Sequence, residues 1–247
     1  MNKKLFTLAA LALTFGLSAC LSDTDLNSGI EKYVNSDEGR KVVGGAVEKY
    51  FQDKQEEQRK AQEKAEEQEL EDQFKNPVKI EVGNSPVTGA KDAKVTIIEF
   101  SDFQCPFCKR GKDTMEQILK AYPNDVRVVF KHMPLSFHKM AKPCALATIA
   151  AGKQGKFWEM HNEFFDNQGS LSDAFIVATA KKLGLNIDKF NADRGSKAAE
   201  EQLNADIALA GKNGISGTPG FFVNGVAVKG AYPFDHFKKI IDRWLQK

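Results

Sequence analysis

The run Val95-Thr96-Ile97-Ile98-Glu99-Phe100 leads through Ser101-Asp102-Phe103-Gln104 into Cys105-Pro106-Phe107-Cys108. Such a near-continuous β-branched and apolar run reads as a central strand covered on both faces. A helix from Pro106 to about Ala121 should follow, because Pro suits the first helical position. Two cysteines delivered from a strand end onto a helix N-terminus make a redox arrangement. Positions i and i+3 share a helix face about 5 Å apart, within disulfide range. As N-cap, Cys105 would face free N–H groups and the positive end of the helix dipole. Both stabilise its thiolate, the form that attacks disulfides. Cys108, one turn on, is the natural resolving partner, and the expected redox couple is the Cys105–Cys108 disulfide and its dithiol.

Other uses of a C-x-x-C fit less well. A structural zinc site needs four ligands, and His132 and His138 have no second C-x-x-C to join them, so no metal is expected. A purely structural disulfide is unusual in a chain of 247 residues, which can bury a core of its own. The pair of sulfurs needs no cofactor. The remaining cysteines are Cys20 and Cys144. Cys144 sits in the Ala-rich stretch Pro143-Cys144-Ala145-Leu146-Ala147, where a thiol acts as a small hydrophobe.

The first nineteen residues read as a targeting segment: Lys3 and Lys4, a short apolar run, then Leu17-Ser18-Ala19-Cys20. That tetrapeptide resembles the lipobox of bacterial lipoproteins, in which the cysteine carries lipid. It implies export and anchoring through Cys20 to a membrane facing the periplasm or another extracytoplasmic space. Disulfide chemistry is available there. The formal charge is +2, and removing Lys3 and Lys4 takes away that excess. Nucleic acid is therefore not an expected partner.

Residues 20–39 are polar and read as a flexible tether. Residues 40–75 read as a charged helical stalk. Gln52 to Gln73 carries nine acids and four bases with no Gly or Pro, which favours a solvated helix. The stalk reads first as a spacer. Val43, Val47 and Tyr50 also offer a seam for a homo-oligomer, although the other seam positions are mostly polar.

The globular domain is expected over 76–247. Val78–Val82 alternates like a first strand, Gly83–Ala93 reads as a loop, and Val126–Phe130 reads as another strand. Helical patterns follow at Met140–Ala151, Lys156–Asp166, Ser172–Leu183 and Ala198–Asn213. The 84 residues from Pro134 to Gly217 exceed a plain crossover of about 30. A helical insertion over about 137–213 is the reading. Asn224-Gly225 marks a hairpin, and Pro233 opens a last helix. The class is α/β.

Three separated motifs now carry a resemblance. Val95 to Cys108 resembles the active-site segment of the DsbA family of bacterial thiol–disulfide oxidoreductases. Gln154-Gly155-Lys156-Phe157-Trp158-Glu159-Met160-His161 resembles that family's helical insertion. Gly217-Thr218-Pro219-Gly220-Phe221-Phe222-Val223-Asn224-Gly225 resembles its cis-proline loop and hairpin. The resemblance implies a thioredoxin-like fold and dithiol–disulfide exchange with exported thiol- or disulfide-containing proteins. It also implies a redox partner protein that recharges the pair. Pro219 becomes a cis-proline beside Cys105, with Thr218 positioning substrate and Pro106 and Phe107 touching it. Glu99 falls where the family places a buried acid, able to take the Cys108 proton, and Lys131 is a candidate partner for it.

Phe107 departs from the Pro-His dipeptide of the family's best-known member and offers the thiolate neither charge nor donor. Lys109 and Arg110 are expected to face solvent. The expected Cys105 pKa is about 4.5–6.5, with a potential of roughly −130 to −220 mV. A dithiol oxidase is the leading reading. A reductase or isomerase, or a chaperone-like or metal-handling module on the same fold, stay open.

Overall fold

In the computed structural model, which describes residues 23–246, the chain begins with two helices, α1 (Asp23–Val34) and α2 (Asp37–Lys75). By its packing the chain divides after Glu67. In the first unit, Ser36 Oγ accepts the Gly39 N–H at 3.0 Å and the Ser36 carbonyl accepts the Arg40 N–H at 2.9 Å. Gly39 is required there, since a Cβ would lie 1.8 Å from the Tyr33 carbonyl oxygen. Within the expected flexible tether over 20–39, residues 23–34 form a helix. Gly44 and Gly45 do not interrupt α2. Ion pairs at i,i+3 and i,i+4 spacing run along it, among them Lys54–Glu57 and Lys60–Glu56, all exposed to solvent screening. Leu26, Ile30, Tyr33, Val43, Val47, Tyr50 and Phe51 are exposed on these helices.

The second unit starts at Gln68, not at residue 76. Phe74 is buried against Trp244, and Arg243 pairs with Glu71. Gln73 Oε1 accepts the Ala227 N–H at 2.7 Å. After α2 come β1 (Val87–Gly89), β2 (Val95–Ser101), α3 (Pro106–Ala121) and β3 (Val126–His132). Five helices follow: α4 (Ala141–Gly152), α5 (Phe157–Asp166), α6 (Asp173–Lys182), α7 (Ile187–Arg194) and α8 (Lys197–Lys212). Then β4 (Gly220–Val223), β5 (Val226–Lys229) and α9 (Phe234–Leu245) close the chain.

The sheet order is β1-β3-β2-β4-β5, with β2 and β3 parallel and the other pairs antiparallel. Strand alternation sorts the core onto two faces. Val95, Ile97, Val126 and Val128 pack with Met115 and Ile118 of α3 and with Phe237, Ile240 and Ile241 of α9. Ile98, Phe100, Val129 and Phe222 pack on the other face with Ala210 of α8 and Ile215. Each such fully buried side chain contributes about 1.5–3 kcal/mol.

Several expectations are corrected. Val78–Val82 is not a strand. Its alternation arises because Ile80 and Val82 lie on the sheet face beside Ile98 and Phe222, while the backbone joins no ladder. The first strand is β1, inside the expected loop. The helix α7 was not expected; its apolar content is thin, and the Asn186 side chain caps it by accepting the Lys189 N–H at 2.9 Å. Pro233 is the N-cap of α9 rather than its first residue. The Asn224-Gly225 turn follows the sequence reading, with φ of +46° and +88°.

Candidate active site

The turn between β2 and α3 is locked from several sides. The Asp102 carbonyl accepts the Cys105 N–H at 3.1 Å. The buried Asp102 carboxylate accepts the Gln104 N–H at 2.7 Å and the Leu135 N–H at 2.8 Å, and it meets His138 Nδ1 at 2.8 Å. Gln104 Oε1 accepts the Met140 N–H at 2.7 Å. Gln168 Nε2 donates to the Phe103 and Cys105 carbonyls at 2.8 and 2.9 Å. Sequence reasoning missed these residues. Asp102 and Gln104 were visible as polar residues beside the cysteines, whereas nothing local marked His138 or Gln168.

Cys105 is the N-cap of α3 and Pro106 its first residue. The Thr218–Pro219 peptide bond is cis, and the Cys105 thiol donates to the Thr218 carbonyl at 3.5 Å. Gly111 lets α3 approach this loop: a Cβ there would lie 3.1 Å from the Phe221 ring and 3.4 Å from Pro219. Pro106 and Phe107 are exposed, while Cys108 is fully buried. Cys105, Cys108 and Cys144 are free thiols in this structure.

The two active-site thiols are driven apart. Cys105 is held down at about 5. The largest cause is a hydrogen bond with the Cys108 thiol; burial opposes it, and Thr218 and the Cys108 and Phe107 N–H groups add to the lowering. The helix terminus, first in the sequence argument, thus ranks behind the neighbouring thiol. Burial pushes Cys108 far above its ordinary range. Its sulfur accepts the Asp102 N–H at 3.3 Å. Cys144 is pushed up to about 12, mainly by burial.

Glu99 is buried, its Oε1 has no hydrogen-bond partner, and burial raises it to about 7. Lys131 does not pair with it. Glu99 stands opposite Phe130 in the β2–β3 register, so Lys131 leaves the sheet on the other face. There Lys131 Nζ binds Asp206 at 3.3 Å, Ser85 Oγ at 2.8 Å and the Val82 carbonyl at 3.2 Å. Lys109 does not simply face solvent either, since its Nζ donates to the Phe165 carbonyl at 3.1 Å. Arg110 lies 4.6 Å over the Phe107 ring. Cys20 lies outside the described residues.

A thiol on a helix N-terminus, a buried partner thiol and a cis-proline loop beside them are the site geometry of the thioredoxin-like class. Within that class the chain belongs to the family of the DSBA-like thioredoxin domain, whose model matches residues 96–242. Its fold is similar to that of BdbD from Bacillus subtilis, with a TM-score of 0.63 at 25% identity over 69% of this chain and 98% of that one. It is also similar to a thioredoxin-like oxidoreductase from Silicibacter pomeroyi, with a TM-score of 0.60 at 28% identity over 67% and 94%. The catalytic domain of Proteus mirabilis ScsC gives a TM-score of 0.58 at 27% identity over 73% and 98%. Among curated proteins, 156 residues are 35% identical to a Na(+)/H(+) antiporter NhaA 1 of Salinispora arenicola. That stretch is 63% of this chain and 24% of the relative. The chain thus spans about a quarter of that relative's length, and the antiporter name belongs to the longer protein.

Proposed function

We propose that this chain is a dithiol oxidase acting on exported proteins. The carrying observation is the split between Cys105, held at about 5, and Cys108, raised far above the ordinary thiol range. A stable Cys105 thiolate favours the reduced pair, so the disulfide form gives up its oxidising equivalents readily. A substrate thiolate attacks Cys105, forming a mixed disulfide as the Cys105–Cys108 bond breaks. A second substrate thiol then displaces the Cys105 thiolate. The substrate leaves oxidised, and two electrons remain on the cysteine pair. A redox partner protein restores the disulfide. Pro219 and Thr218 hold the substrate as an extended strand beside Cys105, with Pro106 and the exposed Phe107 against it. Glu99, half-protonated near neutral pH, supplies the proton that Cys108 needs on leaving.

The same reading places the chain outside the cytoplasm, held to a membrane by a lipid on Cys20. Membrane fractionation of the wild type against Cys20→Ala tests that placement, and a soluble wild type contradicts it. The exposed Val43, Val47, Tyr50 and Phe51 of α2 support self-association through residues 40–75 over a bare spacer. Equilibration in glutathione buffers tests the direction of exchange. The expected potential is roughly −130 to −220 mV, with oxidation of a dithiol peptide abolished in Cys105→Ser. A potential near that of thioredoxin, about −270 mV, would mark a reductant instead.

A further inference from the structure

Ser101 ends β2 two residues after Glu99, so both side chains leave the sheet on the α3 face. Ser101 is 1% exposed, and its Oγ makes no hydrogen bond of full geometry. Cys108 Sγ accepts the N–H of Asp102, the peptide unit that follows Ser101, at 3.3 Å. Ser101 thus shares a buried face of β2 with the Glu99 carboxyl and directly precedes the peptide N–H that binds the Cys108 thiol. It acts on both, lowering the pKa of each against the larger effect of burial. Beyond Ser101, Glu99 lines a cleft of about 130 Å³ together with Lys112, Glu116, His161 and Asn162. One water requires roughly 10–15 Å³ of such space. The Glu116 side chain, 57% exposed, marks the outer end.

We propose that Ser101 relays the proton between Glu99 and Cys108, and that this cleft connects Glu99 to bulk water. The proposal rests on the oxidase reading above. When a substrate thiolate bonds to Cys105 Sγ, the Cys105–Cys108 bond breaks and its electron pair goes to Cys108. Ser101 Oγ gives its proton to that sulfur and takes one from the Glu99 carboxylic acid. The Glu99 carboxylate is then reprotonated from bulk solvent, with water in the cleft passing the proton inward. Recharging reverses each transfer. A serine is suited to the role because one hydroxyl both donates and accepts.

The other titratable groups facing Glu99 and Cys108 are Lys112 and Glu116 from α3, His161 from α5, His132 from β3, and Cys105. Burial lowers His132 to about 3 and His161 to about 4, so both are neutral in the working range. Burial works against the Lys112 charge, but Glu116 and Asp166 outweigh it and raise its pKa. A rate break near neutral pH therefore belongs to Glu99.

The test is a stopped-flow measurement of the full chain in its disulfide form, reacting with a dithiol peptide across a pH series. Ser101→Ala should slow mixed-disulfide formation by roughly tenfold to a hundredfold, with the Cys105 thiolate titration retained. Ser101→Thr, which keeps the hydroxyl, should restore the rate. Glu99→Gln should be slow and lose the break near neutral pH. Near-ultraviolet circular dichroism confirms that each variant is folded. A fast Ser101→Ala beside a slow Glu99→Gln would overturn the relay and leave the role of Glu99 standing. Wild-type rates in both would overturn both.

Discussion

The two faces of the sheet bury polar groups in opposite ways. On the α8 face, Asp206 accepts from Lys131 Nζ at 3.3 Å and from the His132 N–H at 3.0 Å. Lys131 completes its set with Ser85 and Val82. On the α3 face, Glu99 Oε1, Ser101 Oγ and both ring nitrogens of His132 have no partner. A satisfied buried pair fixes structure, here the 82–85 segment against the sheet. Unsatisfied groups cost stability, and these lie next to the strand end that carries the cysteines. The difference separates a structural use of buried charge from a chemical one.

The largest expected effect breaks the satisfied face. Asp206→Asn leaves the Lys131 ammonium buried without a counter-charge. Such losses cost about 3–5 kcal/mol. Burial already raises the Asp206 pKa against the pull of Lys131 and the His132 N–H, so the pair itself adds little net stability. Urea denaturation should show the loss, while the glutathione equilibrium of the folded fraction stays at its wild-type value. A shift in that equilibrium would mean the faces are not separable.

The second effect sharpens the comparison from the unsatisfied face. Glu99 is held at about 7 against an ordinary 4.5, so the folded chain keeps a proton that the unfolded chain releases. Stability is then highest below pH 4.5 and falls as pH rises to 7. The total is roughly 3 kcal/mol at 1.36 kcal/mol per unit. The disulfide form is the one to measure, since its active-site cysteines do not titrate. Glu99→Gln should flatten this fall, and an unchanged pH slope would place the titration elsewhere.

The smallest effect lies on neither face. Phe107 is exposed at the mouth of the site, and its replacement touches the thiolate without disturbing either buried set. Phe107→His should make the pair more oxidising by up to about tenfold, or roughly 30 mV, with stability unchanged. No shift would mean that the existing donors around Cys105 already saturate it.

How much of this was legible in the sequence follows from range. The cysteine pair, its strand and helix, the Asn224-Gly225 turn and the last helix are written in local patterns that packing reinforces. The cis-proline loop was legible through resemblance, since Thr218-Pro219 alone also suits an ordinary turn. The partner of Lys131 was not legible. It depends on the β2–β3 register, which puts Phe130 rather than Lys131 opposite Glu99. Asp102 meets His138 across 36 residues and Gln168 reaches Cys105 across 63, and no spacing rule connects them. The helix α1 was hidden because a solvated helix and a polar linker share a composition.

The redox chemistry turns most directly on the charge state of Cys105. Thiolate absorbance of the reduced protein, titrated against pH and compared with Cys105→Ser, measures it. The expected midpoint is at about 5, and it disappears in the variant. A midpoint near the ordinary 9.0 of a free thiol, or one that persists without Cys105, would contradict that expectation.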